Sequence, residues 1–210
     1  MISAILPSAR KPGRFEIVVD GSVLAVVSLE TVERLGLRVG ADVEPQREAV
    51  AAEAAALAVY DRAVNMLAAR ARSSADLRRQ LVRKGEPATL VDAAIARLQA
   101  AGFLDDAAFA RAYTRSKALG AGASRRRVQQ ELARKGVPRE VTDEAVAEVY
   151  EEEAIDEGES LDRLVHKRLR SLAKLDPEVR DRRLWSFLAR RGFDADDIRK
   201  AIERGTGGVG

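Results

Sequence analysis

The sequence predicts a mainly α protein, an elongated tandem array of three three-helix repeats preceded by a small N-terminal β-hairpin and a short helix. Three observations predict it. From about Pro45 onward apolar residues recur at helical spacing with no strand pattern, the signature of helices with one buried face. Within that region Gln80-Leu-Val-Arg-Lys-Gly85, Glu131-Leu-Ala-Arg-Lys-Gly136 and Phe187-Leu-Ala-Arg-Arg-Gly192 align at offsets of 51 and 56 residues, so one structural unit is repeated. Ahead of it, Asp20-Gly21 separates two β-branched runs and marks a two-residue hairpin turn.

Residues 1–13 carry two prolines and no periodicity and read as a mobile tail. The lobe at 14–45 follows. Arg14-Phe-Glu-Ile-Val-Val19 and Val23-Leu-Ala-Val-Val-Ser28 are its strands. Ser28, with Glu30 and Thr31, opens a short helix, Leu29 to Leu35, stopped by Gly36 and Gly40. A lone hairpin is marginal in water, so this lobe needs that helix or the next segment for support.

The repeats occupy 53–102, 103–150 and 151–204. Leu77, Val128 and Leu184 share one aligned position, Leu81, Leu132 and Leu188 a second, and Ile95, Val146 and Ile202 a third. Four-residue spacing puts Leu77 and Leu81 on one helix face, Gly85 supplies a left-handed stop, and Pro87 or Pro138 prevents the helix from running on. Units of roughly 50 residues bury too little alone, which makes stacking the expected solution. Glycine-rich 205–210 reads as a frayed tail.

Composition excludes several classes of function. No apolar run approaches a transmembrane span, and Ile2 to Leu6 is too short for a signal-peptide core, which points to a cytoplasmic protein. The chain has no cysteine and one histidine, so disulfides, thiol nucleophiles, zinc-thiolate sites and paired-histidine centres cannot be built. No phosphate loop or nucleophile elbow occurs, and neither an enzymatic activity nor a cofactor is expected. His166 has no second histidine and reads as a structural or surface residue. Phe103, Phe109, Tyr113, Trp185 and Phe187 read as packing residues. The acidic stretch from Glu148 to Asp162 lacks EF-hand spacing and reads as a solvated helix start or linker that repels nucleic acid locally.

The net charge is only +3, but the cation excess lies in the first two repeats and concentrates on their middle helices. With Leu77, Leu81, Val128 and Leu132 turned inward, Arg78, Arg79, Arg83 and Lys84 of the first repeat project outward. So do Arg125, Arg126, Arg127, Arg134 and Lys135 of the second. Such faces meet phosphates or an acidic protein surface.

Together these residues resemble the RecX family of bacterial regulators of the RecA recombinase. Arg70-Ala-Arg-Ser-Ser-Ala-Asp-Leu-Arg-Arg-Gln-Leu-Val-Arg-Lys-Gly85 looks like the family's first-repeat signature. Gly102-Phe-Leu-Asp-Asp-Ala-Ala-Phe-Ala-Arg111 looks like its most distinctive segment. Phe187-Leu-Ala-Arg-Arg-Gly-Phe193 and the hairpin lobe extend the resemblance over roughly residues 14 to 204. Ala123 stands where a proline is common and Gln80 where a basic residue is common.

The resemblance implies a non-enzymatic modulator, most readily an inhibitor, that lies in the groove of the RecA filament on single-stranded DNA. There it limits filament growth, ATP hydrolysis, strand exchange and SOS co-protease activity. The nine basic residues are then the expected RecA-filament or nucleic-acid contacts, with weak direct DNA binding by a monomer. The rival reading is a helix-turn-helix regulator of duplex DNA, because three-helix units with a basic helix also build that class. Three tandem units rich in Arg and poor in Asn or Gln argue against it.

Overall fold

The computed structural model describes residues 1–207. Mainly helical, it carries a three-stranded antiparallel sheet at the N-terminus, in the order β1 (Ile2–Pro7), β2 (Arg14–Val19), β3 (Ser22–Ser28). Ten α-helices follow among the described residues: α1 (Leu29–Arg34), α2 (Arg47–Ala69), α3 (Ser74–Arg83), α4 (Ala88–Ala100), α5 (Asp106–Arg115), α6 (Arg125–Arg134), α7 (Arg139–Glu152), α8 (Glu157–Leu172), α9 (Pro177–Arg190) and α10 (Ala195–Gly207). The chain divides into two compact units, residues 1–72 with 77–104, and residues 73–76 with 105 onward.

In the first unit, Asp20 (φ 49°) and Gly21 (φ 80°) both take the positive φ that a two-residue hairpin turn requires, and Val19 pairs with Ser22 across it. The segment 1–13 is not a tail throughout. Ile2–Pro7 forms the outer strand β1 on β2, and Ile2 is also bonded to the 40–41 loop, its N–H donating to Ala41 and its carbonyl accepting from Gly40. The sequence hides this strand because its six-residue connection to β2 carries no short-turn signal and Pro7 sits at its end. Its burial answers the instability of a bare hairpin: Ile2, Ile17, Ala25, Val27, Leu37, Val43 and Val50 form one buried cluster. Ser28 caps α1, its hydroxyl accepting from Thr31 N–H at 3.1 Å.

Helix α2 runs through residue 53 without a break and serves two cores. Val50 and Ala54 pack on the sheet lobe, while Val59 and Ala63 join Leu77, Leu81, Val91, Ile95, Leu98 and Leu104 in a second cluster. Gly85 (φ 91°) ends α3 as the spacing predicts. Its N–H donates to Val82, and that of Glu86 reaches back to Leu81, the bond pair of a Schellman stop. Phe103 is a correction to the expected core, being 70% exposed. Gly102 turns the chain with φ 72°, and the next apolar residue to reach the interior is Leu104.

The second unit holds two further clusters. Ala110, Val128, Leu132, Val146 and Tyr150 join α5, α6 and α7; Leu161, Val165, Leu184, Leu188, Ile198 and Ile202 join α8, α9 and α10. All nine aligned apolar positions are thus buried. Asp105 caps α5, its carboxylate accepting from Ala107 and Ala108 N–H, and Pro177 starts α9 where a missing N–H is harmless. The frayed tail is corrected in part: Gly205 is buried in α10, and a β-carbon there would lie 2.6 Å from Val165 Cγ1, so glycine permits close approach to α8. Residues 208–210 of that expected tail lie outside the described residues.

Candidate functional site

The nine predicted cations divide between the units. In the first, Arg78 is exposed but engaged, its Nε and Nη2 donating to the two carboxylate oxygens of Asp92 at 2.7 and 3.1 Å. That fork raises the Arg78 pKa and lowers that of Asp92. Arg79 is exposed on the same helix. Arg83 and Lys84, at the C-terminal end where cations suit the helix dipole, are exposed and meet no acceptor among the described residues.

In the second unit, α6 sorts its cations by face. Arg127 Nε donates to Glu131 at 2.7 Å, Arg134 lies 3.8 Å from the same carboxylate, and Lys117 lies 3.3 Å from it. Tyr113 donates its hydroxyl to Glu131, and the Lys135 and Lys117 ammoniums sit 5.0 and 5.3 Å from the Tyr113 ring centre. Burial works against the ionised Glu131, yet the hydrogen bonds from Tyr113 and Arg127 and the nearby Lys117 outweigh it and hold the carboxyl below its ordinary value. Burial, then the bond to Glu131, drives the Tyr113 phenol upward. Arg127 and Arg134 are therefore organised round the Glu131 carboxylate, and Lys135 sits over the ring of the Tyr113 bonded to it.

Arg125 and Arg126 occupy the first turn of α6, where a cation opposes the helix dipole. Arg125 is held: its guanidinium lies 4.4 Å from the Tyr150 ring centre, and its backbone N–H donates to Glu157 at 2.8 Å. Burial and Glu157 push the Tyr150 phenol up to about 12. Arg126 is exposed with no acceptor among the described residues. It lines a groove of about 510 Å³ together with the cations Arg125, Lys200 and Arg204 and the carboxylates Glu157, Asp194 and Asp197.

The acidic stretch is a set of ion-pair partners. Glu148 faces Arg111, Glu152 and Glu153 hold Arg115, Glu157 faces Arg125, and Asp162 holds Arg204; Asp156 caps α8. Among the described residues no group of three or more His, Asp or Glu side chains is placed to hold a metal ion. His166 is exposed, its Nδ1 2.8 Å from the Asp162 carbonyl.

Sequence reasoning missed the cations of the third repeat. Arg163, Lys167 and Arg170 are exposed at i, i+4 and i+7 along α8, and the Arg168 and Arg191 guanidiniums lie 5.1 and 4.5 Å from the Phe187 ring centre. The spacing on α8 was legible, but averaging over the segment cancels it against the acidic residues that precede it.

Models of the first, second and third three-helix domains of RecX match residues 60–98, 105–146 and 156–202. A regulatory protein RecX from Amycolatopsis mediterranei is 40% identical over 129 residues, 61% of this chain and 72% of that protein. The chain belongs to the RecX family. The RecX regulatory protein of Chlorobaculum tepidum is 33% identical over 143 residues, covering 68% of this chain and 85% of that one. A crystal structure of a regulatory protein RecX shares the fold with a TM-score of 0.73 at 24% identity, over 97% of this chain and 98% of the other. RecX from Lactobacillus salivarius gives 0.57 at 17% identity, over 72% of this chain and 97% of that one. A regulatory role follows from the family, and among the described residues no helix is long and apolar enough to cross a membrane.

Proposed function

We propose that this RecX-family chain is a non-enzymatic inhibitor of the RecA recombinase. It binds in the groove of the RecA filament on single-stranded DNA and limits filament growth, ATP hydrolysis, strand exchange and SOS co-protease activity. In this reading it acts in the cytoplasm as a monomer, without a cofactor, and RecA supplies the ATPase. The observation that carries the reading is the set Arg83, Lys84 and Arg126, exposed cations that no carboxylate of the described chain neutralises. Arg126 is the most telling, because a first-turn cation works against its own helix and adds nothing to the core. Acidic protein surface or DNA phosphate would supply the missing counter-charge. Arg78, Arg79, Arg125, Arg127, Arg134 and Lys135 flank these three on the same two helices and complete the basic faces.

The test is ATP hydrolysis by the cognate RecA on single-stranded DNA as the chain is titrated in, with filament length followed in parallel. Loss of hydrolysis and shorter filaments at substoichiometric protein is the expected result. No effect on either at excess protein and low salt would overturn the reading. Tight, sequence-specific duplex binding without RecA would replace it with that of a helix-turn-helix regulator.

A further inference from the structure

A cationic cleft that includes none of the nine basic residues of α3 and α6 is lined by the second and third repeats. Its volume is about 680 Å³, and its walls are residues 118–122, the connection at 153–155, α8 and the C-terminal end of α9, all in the second unit. Arg163, Lys167, Arg168 and Arg191 line it. Two carboxylates share the wall, Glu159 and Glu153, and Arg115 already neutralises Glu153 at 2.5 Å. The cleft is therefore left with an excess of positive charge.

Arg168 and Arg191 are its unusual members. Both guanidiniums stack on Phe187, at 5.1 and 4.5 Å from the ring centre, and among the described residues neither side chain meets a carboxylate. Half-buried Arg191 has its pKa lowered by burial and then by the like charge of Arg168. Two like charges held against one ring gain from an anion set between or beside them, and a planar guanidinium fork fits a phosphate. Arg163 and Lys167 in the cleft and Arg170 beyond it succeed one another along α8, rising about 6 and 4.5 Å, on a face that also carries Glu159 and the Asp162 paired with Arg204. A single small anion would be satisfied by Arg168 and Arg191 alone; a row of cations leading away matches a chain of phosphates.

We propose that this cleft binds the backbone of single-stranded DNA, with Arg168 and Arg191 gripping one phosphate while Lys167 and Arg170 guide the strand along α8. The proposal deepens the filament reading above and rests on it for the identity of the polymer.

The experiment measures binding of a fluorescein-labelled oligothymidine to the full chain by anisotropy over a salt series. Arg168→Gln with Arg191→Gln should weaken binding about tenfold or more at low salt. The slope of log affinity against log salt should become shallower by about 0.7, the value for the one phosphate contact that this pair makes. Lys167→Gln with Arg170→Gln, both exposed, should flatten the slope by about 1.4, at about 0.7 for each of two contacts, with an unchanged melting temperature. It decides the matter if the first pair disturbs folding. Unaltered affinity and slope in the folded Lys167/Arg170 variant overturn the proposal. So does inorganic phosphate binding as tightly as the oligonucleotide, or a polyglutamate peptide that loses binding in these variants while the oligonucleotide keeps it. RecA-dependent ATP hydrolysis on the same proteins separates the two readings. Wild-type chain that suppresses hydrolysis yet binds no oligothymidine sinks the cleft and leaves the filament reading standing. Variants that lose the oligonucleotide, from a wild type without effect on RecA, leave the cleft standing and sink the filament reading.

Discussion

Tyr113 donates its hydroxyl to Glu131 at 2.5 Å, and this pair on α5 and α6 decides which cations of the second repeat are committed to the fold. Arg127, Arg134 and Lys117 converge on the same carboxylate, whose side chain is only 15% exposed. Replacing Glu131 by Gln keeps the shape and removes the charge, so three cations lose their counter-ion. Stability should fall by about 1–2 kcal/mol, toward the low end for bonds to a charged group because the cations are partly solvated. Urea unfolding at neutral pH measures it.

The same carboxylate gives a signed pH dependence. Its pKa is held below 4.5 in the folded chain, so its contribution is fully present above about 4.5, the unfolded value. The contribution is lost as pH falls through the folded value. Wild-type and Glu131→Gln stabilities should therefore converge as the medium is acidified from pH 4.5 downward, once other carboxylates are subtracted as common to both. A constant gap across that range would show that Glu131 acts by packing and not by charge.

The basic faces predict a separation between binding and stability. Arg83→Ala, Lys84→Ala and Arg126→Ala together remove only side chains without an acceptor, and the melting temperature should stay within the range of ordinary surface substitutions. Suppression of RecA-dependent ATP hydrolysis should weaken, with the loss greatest at low salt. Arg127→Ala alone should do the reverse, lowering stability through Glu131 with a smaller effect on hydrolysis. Titrations of both proteins against one RecA preparation distinguish the two patterns.

Leu132 is fully buried at the position aligned with Leu81 and Leu188. Its truncation to Ala removes a core side chain between α6 and its neighbours, and the expected loss is about 2–5 kcal/mol. Leu81→Ala and Leu188→Ala should cost a similar amount, since each occupies the corresponding place in its own cluster. Chemical denaturation of the three variants checks this, and a loss confined to one of them would contradict the structural equivalence of the repeats.

The apolar repeat was legible because a helix that buries one face must repeat its apolar residues at helical spacing, and Leu77, Val128 and Leu184 obey that constraint unit by unit. The strand Ile2–Pro7 was not, because its partner is set by a loop of six residues and by long-range pairing that no local pattern announces. Phe103 misled for a related reason: periodicity places it correctly only if the helix continues, and Gly102 ends it. On the site, sequence identified which helices are basic but not which cations are consumed internally. Glu131 attracts Arg127 and Arg134 along its own helix, which spacing permits, but also Tyr113 and Lys117 from a neighbouring segment, which it does not reveal. The Arg168 and Arg191 pair was invisible for the same cause, since 23 positions separate two side chains that meet on one ring.

Gly85 and Gly192 hold the same aligned position, and the structure predicts different costs for giving each a β-carbon. Both have positive φ, +91° and +87°, so Ala at either site carries a backbone penalty of about 1–2 kcal/mol. Around Gly85 nothing lies within 4 Å of the added carbon. At Gly192 it would fall 2.6 Å from Arg127 Cβ, 2.7 Å from Ser124 Oγ and 3.1 Å from the Arg127 backbone nitrogen. The contact exists because the Arg191 carbonyl accepts from Ser124 N–H at 3.0 Å, drawing the end of α9 onto the start of α6. Gly192→Ala should thus cost about 1–3 kcal/mol beyond Gly85→Ala, the range for overpacking a close contact. Thermal melts of the two variants make the comparison with backbone strain held in common. Equal losses would mean that the α6–α9 junction yields freely, whereas the expected excess at Gly192 would mark it as a rigid seam inside the second unit.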